Sequence, residues 1–278
     1  MKHLKPSFFI IGERKCGTSS LYRYLLDHPG VLPCKQKEPQ FFVKKPWRIL
    51  WQINQYYRLF PTIDYQGDIR VEWPELDAKG HLYTETFTVE RKKESHYITG
   101  EASAETFFRG HPRLLKFFLP NIKLILMLRN PVQRTYSHYR MLERFRREGR
   151  KTSVAVGSFA LDMKNEMDMI RKGRPTFFIS PSIYINRLPL WHRIFGKENL
   201  LIVRTEDLKD PLRANDTMQQ ICTYLNLPNY QFGSILSKQY NKAPRQSIPE
   251  GLEEELTFFF RPYNLALEDY LGRKMNWG

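Results

Sequence analysis

The chain has 278 residues, 41% of them hydrophobic, which is enough for a packed core and excludes a disordered polymer. Its 44 lysines and arginines against 29 acids give a formal charge of +15. That surplus points to anionic partners: nucleic acid, a phosphorylated cofactor, an acidic polysaccharide or a membrane surface. Basic charge kept only for solubility is the competing explanation. Cys16, Cys34 and Cys222 are widely spaced, form no CxxC pair and are odd in number. This argues against a disulfide framework and reads as free thiols in a reducing compartment. No stretch approaches the ~20 apolar residues of a membrane span. The apolar run near the start is too short for a signal-peptide core, so a soluble, cytoplasmic chain is expected.

"SFFIIG" predicts a buried strand, and "TSSLYRYLLDHP" a helix with a stripe of Leu21, Tyr24, Leu25 and His28, capped by Thr18 or Ser19 and stopped at Pro29-Gly30. Between them lies "GERKCGTSS", residues 12–20. Residues 44–100 are less regular and read as an insertion containing a β-hairpin, with "LYTETFTVE" as one strand and "DAKG" as the turn. Trp47, Trp51 and Trp73 in this segment are expected mostly in the core, with stacking on a sugar or aromatic face as the alternative. "KLILMLRNP" is a second buried strand followed by a helix over "PVQRTYSHYRMLERFRREG", with Asn130 as cap and Pro131 at the first helical position. Residues from about 145 to 175 read as charged and partly mobile. "NLLIVRTEDL" is a third strand, followed by a helix over "PLRANDTMQQICTYLNL". "PEGLEEELTFFFRPYNLALEDYL" is a long helical pattern, expected to break at Pro262. Strands alternating with helices define an α/β class: a mainly parallel central sheet flanked by helices, in a single domain over 1–278. Ligands of such sheets bind at the carboxyl ends of the strands.

The loop after the first strand has the outline of a phosphate cradle. A glycine loop feeding a helix presents backbone N–H groups at the positive end of the helix dipole. Gly17 permits close approach, Thr18, Ser19 and Ser20 add hydroxyl donors, and Lys15 adds a point charge. A tight turn with a capping threonine and a surface lysine is the plainer alternative. The loop is not a Walker A motif, because Thr18 stands where that motif has its lysine. A P-loop nucleotidase also holds Mg²⁺ through an aspartate at a neighbouring strand end, whereas these strands end in Arg129 and Arg204. The residues therefore suit two separated anionic groups held by protein cations. Arg129 at the strand end, and Arg134 three residues before Ser137 on one helix face, form the second anion site. Arg140 and Arg144 read as a solvated face.

At this point the residues resemble a known family. "ERKCGTSSLYRYL" is similar to the 5′-phosphosulfate loop of sulfotransferases that use 3′-phosphoadenosine 5′-phosphosulfate (PAPS). "LRNPVQRTYSHY" is similar to their 3′-phosphate motif, and "KEPQFF" at 37–42 and "FFFRPYNLALEDYLG" resemble segments of the carbohydrate branch, the heparan sulfate sulfotransferases and their bacterial relatives. The matches span residues 8 to 272. The resemblance implies a nucleotide-kinase-like α/β fold. It also implies that Arg14, Lys15, Cys16, Gly17, Thr18, Ser19 and Ser20 grip the 5′-phosphosulfate, that Arg129 and Ser137 hold the 3′-phosphate, and that no metal is required. The product is adenosine 3′,5′-bisphosphate (PAP).

In-line transfer of a sulfuryl group builds negative charge on the oxygen bridging to the departing phosphate, and Lys15 is the residue assigned to neutralise it. Family relatives place a catalytic glutamate in the segment matching Glu38, which makes Glu38 the expected general base, its ionised form favoured by Lys35 and Lys37. By spacing alone a loop carboxylate or surface ion pair would be the commoner explanation. His28, His111 and His138 are rival bases, with His138 read as a surface residue. Glu101, at the end of a strand, is the second candidate for base or acceptor contact, and Lys37 for acceptor contact. The family's basic, glycine-containing loop over the cofactor corresponds to "YNKAPRQSIP", which lacks the glycine; Lys242 and Arg245 are its candidate cations. The acceptor is expected to be a glycan or a small metabolite. A P-loop phosphotransferase and a non-enzymatic polyanion binder are the alternatives, and no nucleic-acid-reading module is evident.

Overall fold

A computed structural model describes residues 2–64, 66–76, 82–89, 97–152, 154–238, 247–249 and 251–277. In chain order the strands are β1 (Lys2–His3), β2 (Phe8–Gly12), β3 (Val31–Leu32), β4 (Thr62–Ile63), β5 (Ile69–Leu76), β6 (Leu82–Val89), β7 (Ile98–Ala102), β8 (Lys123–Leu128) and β9 (Leu200–Arg204). The helices are α1 (Thr18–Asp27), α2 (Pro46–Tyr57), α3 (Thr106–Arg109), α4 (Pro112–Phe118), α5 (Pro131–Arg147), α6 (Phe159–Arg171), α7 (Leu188–Phe195), α8 (Thr205–Lys209), α9 (Ala214–Tyr224) and α10 (Leu252–Leu271). The chain divides into two compact units. One comprises Met1–Glu13, Gly17–Met127 and Trp191–Tyr240; the other comprises Arg14–Cys16, Leu128–Leu190 and Asn241–Gly278.

The first unit is built on a five-stranded sheet of order β3-β7-β2-β8-β9, with parallel pairing of β3 with β7 and of β2 with both β7 and β8. Every residue of β2 is buried, as a central strand covered on both faces requires. The register of β2 on β8 runs Phe8↔Lys123, Phe9↔Leu124, Ile10↔Ile125 and then Gly12↔Leu126, so an irregularity falls just before the glycine loop. Because β2 and β8 are parallel neighbours, their carboxyl ends lie at the same end of the sheet. Gly17, not Thr18 or Ser19, holds the cap position of α1, in the left-handed region at φ 89° and with no side-chain cap bond. Thr18 is already the first helical residue and is buried. A Cβ on Gly17 would lie 3.4 Å from Met127 Cε and force a rarely adopted backbone conformation on any other residue.

A second, antiparallel sheet of order β1-β4-β5-β6 contains the expected hairpin, β5 on β6, with Val71 opposite Phe87. Its "DAKG" turn lies outside the described residues. The 44–100 segment also contains α2, and here the expectation that its tryptophans are mostly core is corrected. Pro46 starts the helix, Ile49 and Tyr56 bury one face, and Trp47, Leu50 and Trp51 line another, 54%, 50% and 86% exposed. Positions 47, 50 and 51 follow the helical period onto one stripe, away from 49 and 56. The side chain of Trp73 is outside the described set.

The second unit packs α5, α6 and α10 around Val132, Tyr139, Phe159, Met163, Phe178, Leu256 and Phe260. The stretch read as charged and partly mobile contains α6. Phe159, Met163 and Met167 recur every four residues and bury its inner face. Pro262 does not break α10, which runs unbroken for 20 residues. The proline sits on an exposed position and forfeits its bond to the carbonyl of Phe258, a residue that is itself 77% exposed, so the lost bond falls on the solvent side of the helix. Buried Phe259, Phe260 and Leu267 anchor the helix on both sides. Among the described residues no helix is long and apolar enough to cross a membrane, and the three cysteines are buried and joined in no disulfide.

Candidate active site

Asn130 caps α5 as its sequence predicts: its side-chain oxygen accepts from the backbone N–H groups of Val132 (2.9 Å) and Gln133 (3.2 Å), with Pro131 next. This fixes the exit of the chain from β8 and places half-buried Arg129 beside the loop. Its Nη1 donates to the carbonyl of Lys15 at 3.3 Å. Tyr184 joins the same two segments. Its hydroxyl donates to the Arg129 carbonyl at 2.8 Å and lies 3.7 Å from the Cys16 thiol, which is fully buried. The tyrosine proton is committed to the carbonyl, so the thiol is the donor to the tyrosine oxygen. Cys16 thus turns its side chain inward and locks the loop. Sequence reasoning missed Tyr184, which lies in a short turn between helices and carries no motif.

Lys15 has a left-handed backbone, φ 73°. Burial, and then the cations of Arg144, Arg129, Arg14 and Arg134, push its ammonium down to about 8. The like charge around Lys15 makes this stretch complementary to an anion, although Arg144 itself pairs with Glu148 at 3.5 Å on the half-exposed outer face of α5, as its reading as a solvated residue expects. Arg134 does not share an outward face with Ser137, as the three-residue spacing suggested. It is fully buried, donating from Nη1 to the Phe178 carbonyl (3.2 Å) and from Nη2 to His138 Nδ1 (2.9 Å). The reading of His138 as a surface residue is likewise corrected: it is 2% exposed. Its other nitrogen faces Arg14 Nη1 at 3.3 Å, and its ring stacks on Phe177. Burial, then Arg134, Arg14 and Lys15, hold its pKa well below the usual imidazole range. His138 is a neutral spacer between two guanidiniums and a poor candidate base. Ser137, beside it, is half-buried on α5.

The other candidates belong to the first unit. Thr18 is buried, Ser19 and Ser20 half-buried, all in the first turn of α1. Glu38 has a left-handed backbone, φ 51°, as does Gln40, φ 50°; Gln40 Nε2 donates to Glu38 Oε2 at 3.4 Å. Lys35, expected to support Glu38, instead pairs with Glu72 at 2.8 Å. Lys37 is exposed. Glu101 is 1% exposed in β7 and accepts from Tyr56 and Ser103, each at 2.6 Å. His28 is a structural residue, accepting at Nδ1 from the Gly30 N–H and donating from Nε2 to the Pro228 carbonyl. Arg204 is engaged by Glu206 and Asp207, at 3.9 and 3.7 Å, which leaves Arg129 as the strand-end arginine beside the loop. Lys242 and Arg245 lie outside the described residues. Among the described residues no group of three or more His, Cys, Asp or Glu could hold a metal ion.

Residues 6–231 match the sulfotransferase family, and the chain belongs to it. Over 96% of its length it is 28% identical to human carbohydrate sulfotransferase 15, of which it spans 53%. It is 27% identical to human heparan sulfate glucosamine 3-O-sulfotransferase 6 over 98% of this chain and 74% of that one. A solved sulfotransferase from Alicyclobacillus acidocaldarius superposes with a TM-score of 0.67, 25% identity and 99% coverage of both chains. A mouse sulfotransferase complexed with PAP shares the fold at 11% identity, TM-score 0.53, covering 98% of this chain and 90% of that one. The chain therefore spans about half the length of the carbohydrate sulfotransferase 15 relatives it matches.

Proposed function

We propose that this chain transfers a sulfuryl group from PAPS to a hydroxyl or amine of an acidic glycan. The observation that carries this reading is Lys15 beside Arg129, whose guanidinium donates to the Lys15 carbonyl at 3.3 Å, where burial and the charges of Arg144, Arg129, Arg14 and Arg134 push the Lys15 ammonium down to about 8. Such crowding of like charge is unfavourable alone and favourable around phosphate and sulfate. When bound, PAPS would supply an activated sulfuryl group joined to phosphate through one bridging oxygen. Lys15 would donate to that oxygen as the sulfur–oxygen bond breaks, and so neutralise the charge that builds there. Thr18, Ser19 and Ser20 would add donors along the same stretch of chain, and Arg129 and Ser137 would hold the 3′-phosphate. Glu38 would accept the acceptor's proton as its oxygen or nitrogen bonds to sulfur.

The glycan reading draws on the carbohydrate and heparan sulfate sulfotransferases among the relatives. It also draws on α2, where Trp47 and Trp51 stand exposed one turn apart and Arg48 lies over the Trp47 ring at 5.1 Å. Aromatic faces flanked by cations suit a sugar chain bearing acidic groups. The test is transfer of labelled sulfur from PAPS to a panel of glycans and small alcohols. Labelled acidic glycan is expected, and the Trp47→Ala/Trp51→Ala double variant should raise the acceptor KM about 10-fold with kcat unchanged. Label on small alcohols alone, or an unmoved acceptor KM, would count against the glycan.

A further inference from the structure

Glu101 was a candidate base by its place at a strand end, but its geometry gives it a different task. Its carboxylate is buried and both oxygens are occupied by donors: Tyr56 Oη on Oε1 and Ser103 Oγ on Oε2, each at 2.6 Å. With the side chain only 1% exposed, neither oxygen is open to an acceptor. Ser103 Oγ in turn accepts the backbone N–H of Gln40 at 2.9 Å. Gln40 and Glu38 both have left-handed backbones, a conformation that costs a non-glycine residue free energy and persists only where the surroundings impose it. Tyr56 holds the other flank of the same turn, its ring stacked on Phe41 at 4.8 Å and edge-on to Phe42 at 5.2 Å. The buried carboxylate thus fixes residues 40–42 through two arms, one polar and one aromatic.

We propose that Glu101 is a positioning residue for Glu38, acting through Ser103 and Gln40 to hold the strained turn that presents the Glu38 carboxylate. The proposal rests on the reading of Glu38 as general base. The relay works with Glu101 ionised, because both of its partners donate. Burial pushes the Glu101 carboxyl up to about 7, opposed by the bonds from Ser103 and Tyr56 and reinforced by Glu38. Among the described residues the titratable groups facing it are Tyr56 from α2, Tyr22 from α1, and Cys34 and Glu38 from the chain before α2, none of them a cation. Protonation therefore removes one acceptor from the relay, and kcat should fall as pH drops through about 7.

The test compares Glu101→Gln and Ser103→Ala with the wild type by steady-state kinetics across pH, with PAP-induced thermal stabilisation as a control. Glu101→Gln keeps the shape but replaces one acceptor oxygen by a donor. It should lower kcat about 10-fold, leave the KM for PAPS and the PAP-induced shift unchanged, and abolish the fall of kcat near pH 7. Ser103→Ala cuts the relay without touching the carboxylate. It should lower kcat to a similar degree, and it decides the matter if Glu101→Gln does not fold. Unchanged kcat in Ser103→Ala, or an unaltered fall near pH 7 in Glu101→Gln, overturns the proposal. Failure of the base reading is separately visible as full activity in Glu38→Gln.

Discussion

Replacing Lys15 with alanine should lower kcat about 10²–10³-fold, the usual consequence of removing one donor aimed at developing negative charge. The folded state should not suffer. Lys15 already occupies its left-handed conformation with a Cβ, and four guanidiniums lose a like-charged neighbour. Unfolding by heat or denaturant should show a midpoint unchanged or slightly raised. Lys15→Arg keeps the charge but not the compact ammonium, and should recover only part of the rate. The pH dependence has a definite sign. In the free protein Lys15 loses its proton near pH 8, so affinity for PAPS should decline above that pH. A bound dianion favours the ammonium form, so binding above pH 8 should take up a proton. Full activity in Lys15→Ala would remove the loop from the chemistry.

Glu38→Gln should lose about 10²–10⁴-fold in kcat while KM for PAPS and affinity for PAP stay as in the wild type. The amide fits the same turn, keeps a partner for Gln40 and cannot take a proton. A drop in kcat alone marks a residue acting in the chemical step; a matching loss of PAP affinity would mark a binding residue instead. Retained turnover would return the base to the remaining candidates. Two of the three rival histidines are poor ones: His138 is buried between two guanidiniums and His28 has both nitrogens bonded to backbone, which leaves partly buried His111.

The sheet strands and their following helices were legible because the signals were local: continuous apolar runs in β2, β8 and β9, and an Asn-Pro cap before α5. Where burial decides orientation, sequence misled. Arg134 and Ser137 share helical spacing, yet the arginine turns inward to a carbonyl that a distant turn supplies. His138 looked exposed among arginines because its covering rings, Phe177 and Phe178, lie some forty positions away. In α6 the apolar period of four is diluted by acids and lysines on the outer face. Trp47 and Trp51 looked like core by composition, but Ile49 and Tyr56 fill the buried face of that short helix. The Glu101 relay depends on Tyr56 and Ser103 meeting one carboxylate from opposite sides, a juxtaposition that only the folded chain makes.

Protein cations, Lys15 and Arg129 foremost, are expected to take the two ends of the nucleotide. Calorimetric titration with PAP in the presence of a chelator tests it most directly. The expected result is binding without a divalent ion, proton uptake above pH 8, and an affinity reduced about 10–100-fold either for adenosine 5′-phosphate or in Arg129→Ala. Binding that requires a divalent ion, or that ignores both the 3′-phosphate and Arg129, would contradict it.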